Sequence, residues 1–354
     1  MSLPTEQIGS IPRPADLVAG LAAQAAGTLS ADELAVLFDA ALRDTVERLE
    51  ATGSPVVSDG EQTKPSFVTY PLSGSGRYAA DGAVIPFADG HTRQLPRLAA
   101  GPFRYGAHAE EYLRAAQKYA SVPVKQAVIA PSALSLLYPQ DPIADYSREE
   151  FLDDLIDEAE ADVRRCLDAG ASTVQLDFTE GRLATKLDPS GQLLGSFVEL
   201  NNRLLDRFAD AERARIGLHT CPGGDQDSTH SLDADYAALL PELFRIRVGN
   251  VYLQLASEAD PGRVLAIAAE HLRADQRLFV GVIDPIDPAV ETPGLVRDRI
   301  LLAARYVSPE RLGSTDDCGF APFADDLSTS RETAFAKIAA RVQGTALASE
   351  VLGV

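Results

Sequence analysis

The sequence predicts a closed (β/α)8 barrel, α/β in class, from three observations. Strand and helix signals alternate along most of its 354 residues and give eight strand candidates. Those strands are apolar throughout instead of alternating, which is how strands buried on both faces of a parallel sheet read. No glycine-rich phosphate loop follows the first strand, which weighs against an open dinucleotide-binding sheet. Barrels of this kind run from roughly 200 to over 400 residues. One barrel domain over residues 1–354 is therefore expected.

Taken in order, the first strand is Gln7 to Ile11, closed by Pro12-Arg13-Pro14. Ser30-Ala31-Asp32-Glu33 is a capping box, and apolar residues at three- and four-residue spacing carry a helix to about Thr52. Residues 55–61 form the second strand, ending in Glu61. Over 63–122 the periodicity dissolves into Pro, Gly and aromatics. There Ala83–Phe87 faces Arg93–Arg97 across Asp89-Gly90, predicting an inserted hairpin that covers the barrel mouth. Strands follow over 124–130, 173–178, 216–221, 250–256, 278–284 and 312–315. Helices lie over 147–170 (opened by the box Ser147-Arg148-Glu149-Glu150), 196–211, 234–244, 261–272, 292–306 and 330–347.

A formal net charge of −20 repels nucleic acid and anionic lipid, so neither is expected as a partner. No run approaches the roughly 18 apolar residues that span a membrane. The first residues have neither the basic flank nor the apolar core of a signal peptide. Three cysteines, at 166, 221 and 318, are no disulfide framework and fit a reducing cytoplasm. The expectation is a cytoplasmic enzyme of small molecules, a monomer or homodimer.

Barrel enzymes carry their chemistry at the C-terminal strand ends. Here those ends read Ser10, Glu61, Pro131, Asp177, His219 with Cys221, Gln254, Asp284, and Asp316-Asp317-Cys318. His219 and Cys221 are two apart, so an extended strand points both to one side. With Cys318 they make three soft ligands and leave a fourth position open, the arrangement of a catalytic zinc. Cys166 falls within a helix beside Leu167 and reads as core. A zinc with thiolate ligands suits the binding and activation of a substrate thiol, so alkyl transfer to sulfur is the expected reaction class. Glu61 and Asp177 would hold an amino group of that thiol, and Asp284 would hold a donor or relay a proton. Lys64, Arg93 and Arg97 would cover the donor. His230 reads as a loop histidine, with a replacement ligand or general acid as its other reading.

These residues resemble the catalytic barrel of cobalamin-independent methionine synthases, in particular the short single-barrel members. The matching motifs are Ile8-Gly9-Ser10, Asp59-Gly60-Glu61, Val174-Gln175-Leu176-Asp177, His219-Thr220-Cys221 and Asp317-Cys318-Gly319, in family order. The resemblance implies a zinc-dependent enzyme of methionine biosynthesis that moves a methyl group from methyltetrahydrofolate to homocysteine. It implies zinc on His219, Cys221 and Cys318, and the amino acid part of homocysteine on Ser10, Glu61 and Asp177. This chain departs from the pattern in three places. The family's fourth zinc ligand is a Glu on the sixth strand, where Val251-Tyr252-Leu253-Gln254 places Gln254, a candidate for ligand or substrate contact. Glu258, His230 and solvent are the other candidates for that fourth place. A functional His after the seventh strand is replaced near Ile286, and the folate-stacking Trp is absent, with Tyr138 near its place.

Two other classes stay open at this point. A barrel relative with changed chemistry would be an epoxide–thiol transferase or a metal-free decarboxylase or lyase. A non-catalytic zinc- or thiol-binding protein would bind metal and make no product.

Overall fold

The computed structural model describes residues 2–74 and 76–354. Six parallel strands form one continuous sheet in chain order: Gln126–Ile129, Val174–Asp177, Ile216–Thr220, Asn250–Leu253, Arg277–Ile283 and Leu312–Asp316. They occupy barrel positions three to eight. All but Arg277 are buried, as apolar runs in a closed parallel sheet must be.

The first two positions differ from the expectation of eight full strands. The first segment joins the eighth strand by a single parallel bridge, Thr5 to Ser314, with Glu6 N–H donating to Ser314 O at 3.0 Å. The second joins the third strand by the bridge Val57 to Val124. Between the two, side chains replace the ladder. In the orientation that satisfies its neighbours, the Gln7 carboxamide donates to Val56 O at 2.9 Å and accepts from Ser58 N at 2.7 Å. Ser58 Oγ donates to Gly9 O at 3.2 Å, and Ile11 N donates to Gly60 O at 3.0 Å. The ring is closed, but through one glutamine side chain and a few isolated bonds.

The N-terminal end of the barrel is filled by stacked rings. Tyr252 and Phe279 lie 4.6 Å apart, and the Lys125 ammonium sits 3.5 Å over Tyr252. These rings need room on neighbouring strands. A β-carbon on Gly217 would lie 2.5 Å from Tyr252, and one on Gly313 would lie 2.6 Å from Phe279. Both strands therefore carry glycine at that level.

Helices pack outside. Ala31–Ala51 and Arg148–Asp168 open with the two capping boxes read from the sequence, both formed. The last helix, Arg331–Leu352, runs one turn further than expected, and its Arg341 is fully buried against Asp316 and Thr5. The sequence reading missed four helices: Ala15–Ala25, Ala109–Gln117, Pro131–Leu134 and Glu180–Leu187. The single helix expected over 196–211 is two, Gln192–Leu205, which starts four residues earlier, and Asp210–Arg213. Among the described residues no helix is long and apolar enough to cross a membrane.

The hairpin pairs Val84–Pro86 with Thr92–Gln94, and Tyr78–Ala79 with Arg97–Leu98. It bends over the C-terminal end of the barrel, where Ala88 N donates to Thr229 O at 3.0 Å.

Replacing Gln7 by Leu removes the side-chain link between the first two barrel segments and strands two buried backbone groups. We expect a stability loss of about 2 kcal/mol or more by urea denaturation, since each unpaired buried group costs roughly 1–3 kcal/mol. A loss below about 0.5 kcal/mol would show that the link is dispensable.

Candidate metal and substrate site

The fifth barrel strand carries His219 to its end, and Cys221 follows where the chain leaves the sheet. Cys318 arrives from the loop after the eighth strand. The ligand atoms of the three lie within 4.8 Å of one another, the scale of one ion's coordination shell. Both sulfurs are free thiols, and their 3.1 Å separation is too long for a disulfide of about 2.05 Å. The contact with Cys221 holds the Cys318 thiol well below its usual range, with His219 adding to the effect. The Cys221 thiol is pushed up by that same contact and by burial. Neither nitrogen of the buried His219 has a hydrogen-bond partner. A buried imidazole without a hydrogen-bond partner beside two adjacent sulfurs suits a soft cation.

This cluster opens into a cavity of about 410 Å³ at the C-terminal end of the barrel. Ser10, Glu61, Asp177 and Glu180 line it from the barrel. Phe87, Arg93 and Leu95 line it from the hairpin, and Phe323 from the last loop. Glu61 stands at φ 55°, directly after Gly60 at φ 59°. Two successive left-handed residues are a strained way to end a strand. The turn is held by Ser58 Oγ accepting from Gly60 N at 3.1 Å and by Arg13 donating to Glu61 O at 2.8 Å. Its effect is to aim Glu61 into the mouth, where Lys64 Nζ donates to it at 3.0 Å.

The charges here are crowded. Burial raises the Glu61 carboxyl to about 7 despite Lys64, with Asp177 and Asp59 repelling it further. Burial also raises Asp177, although His219 and a 2.7 Å bond from Gln175 Nε2 oppose the shift. One ammonium serves several carboxylates, so the site is short of positive charge.

The remaining sequence-predicted residues either line a second cavity or are engaged by other partners. Gln254 and Asp284 line a second, smaller cavity of about 100 Å³, which meets the first only along Gly224, Cys318, Gly319 and Pro322. Gln254 Oε1 accepts from Arg182 at 3.0 Å, and its Nε2 donates to Ser257 at 2.7 Å. Arg182 also takes Glu258 at 2.7 Å. Both candidate acids or amides of the sixth strand are thus engaged by one guanidinium, and neither joins the metal cluster. His230 lines the main cavity but pairs with Ser231, and burial lowers its imidazole to about 4, so it stays neutral. Arg93 lines the cavity with both ends of its fork held, by Asp225 and Asp325. Arg97 pairs with Asp81 on the outside of the hairpin, and Tyr138 bonds Tyr146 O at 2.7 Å away from the cavity.

The family profile described as "Cobalamin-independent synthase, Catalytic domain" matches residues 3–341. The chain belongs to that family. Its relatives include the methionine synthase of Sulfurisphaera tokodaii, 23% identical over 358 residues, covering 99% of this chain and 94% of the relative. That of Saccharolobus solfataricus is 23% identical over 357 residues, covering 99% and 96%. Among solved structures, a B12-independent methionine synthase from a Shewanella species, in complex with selenomethionine, superposes with a TM-score of 0.74 at 19% identity, covering both chains fully. A putative vitamin-B12 independent methionine synthase from Listeria monocytogenes gives 0.74 at 19%, covering 98% of each. These likenesses confirm the barrel.

Sequence reasoning missed Arg182 and Glu180 and gave Asp317, a strand-end residue, no role. Asp317 is a brace: it accepts from Leu255, Ala256 and Ser257 N–H and from Ser257 Oγ, all at 2.8–2.9 Å, and so ties the sixth strand's exit loop to the eighth strand. Arg182 and Glu180 lie on the short helix Glu180–Leu187, which the apolar pattern did not reveal. Their one signal was position, just past Asp177 at a strand end.

Replacing Arg182 by Met would leave Glu258 half-buried without its cation and free Gln254. Breaking one side of a buried pair costs about 3–5 kcal/mol, so the metal-free variant should lose stability on that order in chemical denaturation. Arg182→Lys should not restore it, because an ammonium cannot span Gln254, Glu258 and two carbonyls in one plane. Full rescue by Lys would contradict the bridging role.

Proposed function

We propose that the protein is a methyltransferase of the methionine synthase type that transfers a methyl group to the sulfur of homocysteine, with zinc on His219, Cys221 and Cys318. The observation that carries this reading is the pairing of a three-ligand soft cluster with an acidic cavity. A metal-free lyase has no use for two adjacent thiols beside an unpartnered imidazole. A storage protein has no use for Glu61 held in a strained turn over the same cavity.

Zinc at this site supplies the Lewis acidity that lets a substrate thiol bind as thiolate near neutral pH. The protein's own groups do the rest. Glu61 and Asp177 face the space beside the cluster and receive the α-ammonium of homocysteine. Ser10 lines the cavity and packs on Gly319, where a β-carbon would meet its hydroxyl at 2.1 Å; its hydroxyl would receive the substrate carboxylate. With Gln254 and Glu258 both held by Arg182, His219, Cys221 and Cys318 would hold the zinc and leave it open to a substrate thiol. The methyl donor, of the reduced-folate type, fills the outer cavity between Phe87, Leu95, Leu136 and Phe323. These side chains exclude water from the transferring methyl.

Glu61 must be ionised to hold an ammonium, and its carboxyl sits at about 7 in the free protein. Its ionised form predominates above that pH and is lost below it. Homocysteine KM should therefore rise as pH falls from about 8 to 6, by up to about tenfold per unit, and Glu61→Gln should flatten that rise.

The direct test is methionine formation from homocysteine and 5-methyltetrahydrofolate. Zinc-loaded protein should carry about one zinc per chain and make methionine. Cys318→Ser should lose zinc and at least about 100-fold in activity. Equal activity after complete zinc removal would overturn the reading.

A further inference from the structure

Glu180 is a buried carboxyl that the metal and acceptor chemistry leaves unused. It opens the helix Glu180–Leu187 and lines the same cavity as His219 and Cys318. From helix Pro131–Leu134, Ser132 Oγ donates to its Oε1. Helix Gln192–Leu205 contributes Asn201, whose amide donates to Ser132 Oγ at 2.9 Å and offers Glu180 no charge. The other oxygen, Oε2, is buried without a partner. The charged group bearing on it from the neighbouring strand is Asp177, which repels it. Its own helix carries Arg182 and Lys186, but these turn to Gln254 and Glu258 and to Asp233.

Burial therefore dominates and raises the Glu180 carboxyl to about 8, with Ser132 opposing the shift and Asp177 adding to it. At neutral pH it is an acid with its proton still on. The cavity's other candidates are committed. Glu61 pairs with Lys64, Asp177 accepts from Gln175, and Asp325 is held by Arg93. His230 is neutral, and no tyrosine lines the cavity among the described residues. Asp284, the acid expected from the strand ends, faces the second cavity.

A methyl group on nitrogen leaves readily only if that nitrogen takes up a proton, because a bare amide anion is a poor leaving group. We propose that Glu180 delivers the proton to the departing nitrogen of the methyl donor; this rests on the methyl-transfer reading above. In the step, a lone pair of the acceptor thiolate forms the S–CH3 bond. The CH3–N bond breaks with its electron pair going to nitrogen, and the Glu180 proton moves to that nitrogen. The negative charge of the thiolate reappears as the Glu180 carboxylate. The proton shed by the next acceptor thiol, passed through solvent, restores the acid and balances the cycle.

The experiment compares two donors on zinc-loaded protein with homocysteine as acceptor. 5-Methyltetrahydrofolate needs a proton on its leaving nitrogen, whereas methyl iodide loses iodide and needs none. Glu180→Gln should lower kcat with the folate donor by about 10²–10⁴-fold. With methyl iodide it should stay within a factor of about three, at unchanged zinc content. The wild-type rate with the folate donor should fall above pH about 8, and that limb should be missing with methyl iodide. If Glu180→Gln does not fold, Ser132→Ala gives the same test. It removes a bond that favours the carboxylate, so the alkaline limb should move to higher pH. Equal losses with both donors, an unmoved limb, or a wild type that uses methyl iodide but not the folate donor each overturn the proposal. A wild type that methylates homocysteine from neither donor fails at the methyl-transfer reading, and the proposal falls with it.

Discussion

The structure depends on three soft donors being brought together inside a closed barrel with few partners beyond one another. An unpaired buried polar group costs roughly 1–3 kcal/mol, and His219 alone presents two such nitrogens. A structural zinc in small proteins contributes on the order of 10–16 kcal/mol of binding free energy. A cation of this kind therefore far outweighs the cost of keeping the site idle in the metal-free chain. The barrel makes the convergence possible, because the ends of its fifth and eighth strands meet at one mouth although 97 residues separate Cys221 from Cys318.

The charge around that mouth is arranged by a few cations used several times over. Lys64 serves Glu61 and also donates to Ala127 O at 2.9 Å, which anchors the strained turn to the third strand. Arg93 ties the hairpin to Asp225 and Asp325 on two barrel loops. Arg182 engages Gln254 and Glu258 and fixes the sixth strand's exit, while Asp317 fixes it from the other side. The main cavity is lined by more carboxyl groups than cations, which suits an amino acid bound by its ammonium group.

Much of this was legible in the sequence because it follows from periodicity and strand-end position. The H-x-C spacing announced a shared face, and Cys318 fell at the end of the last strand. Capping boxes at Ser30 and Ser147 set two helix starts to the residue. The hairpin turn at Asp89-Gly90 was visible from Gly and the flanking strands. The first two barrel strands were overcalled, since Pro55 and the Gln7 side chain replace the ladder with contacts that no local pattern records. The helix Ala15–Ala25 was missed because Pro14 reads as a terminator and offers no side-chain cap. Gln254 and Asp284 were assigned to the site by strand position alone. Gln254 is engaged by the Arg182 side chain, a long-range fact, and Asp284 lines the second cavity. Glu180 was invisible for a similar reason, because its significance lies in what does not surround it.

Zinc K-edge absorption with and without homocysteine tests the central claim most directly. The free, zinc-loaded protein should show two sulfurs and one imidazole nitrogen, with a light atom completing the shell. Saturating homocysteine should replace that atom with a third sulfur. A first shell unchanged by homocysteine, or one with fewer than two sulfurs in the free protein, would contradict the account.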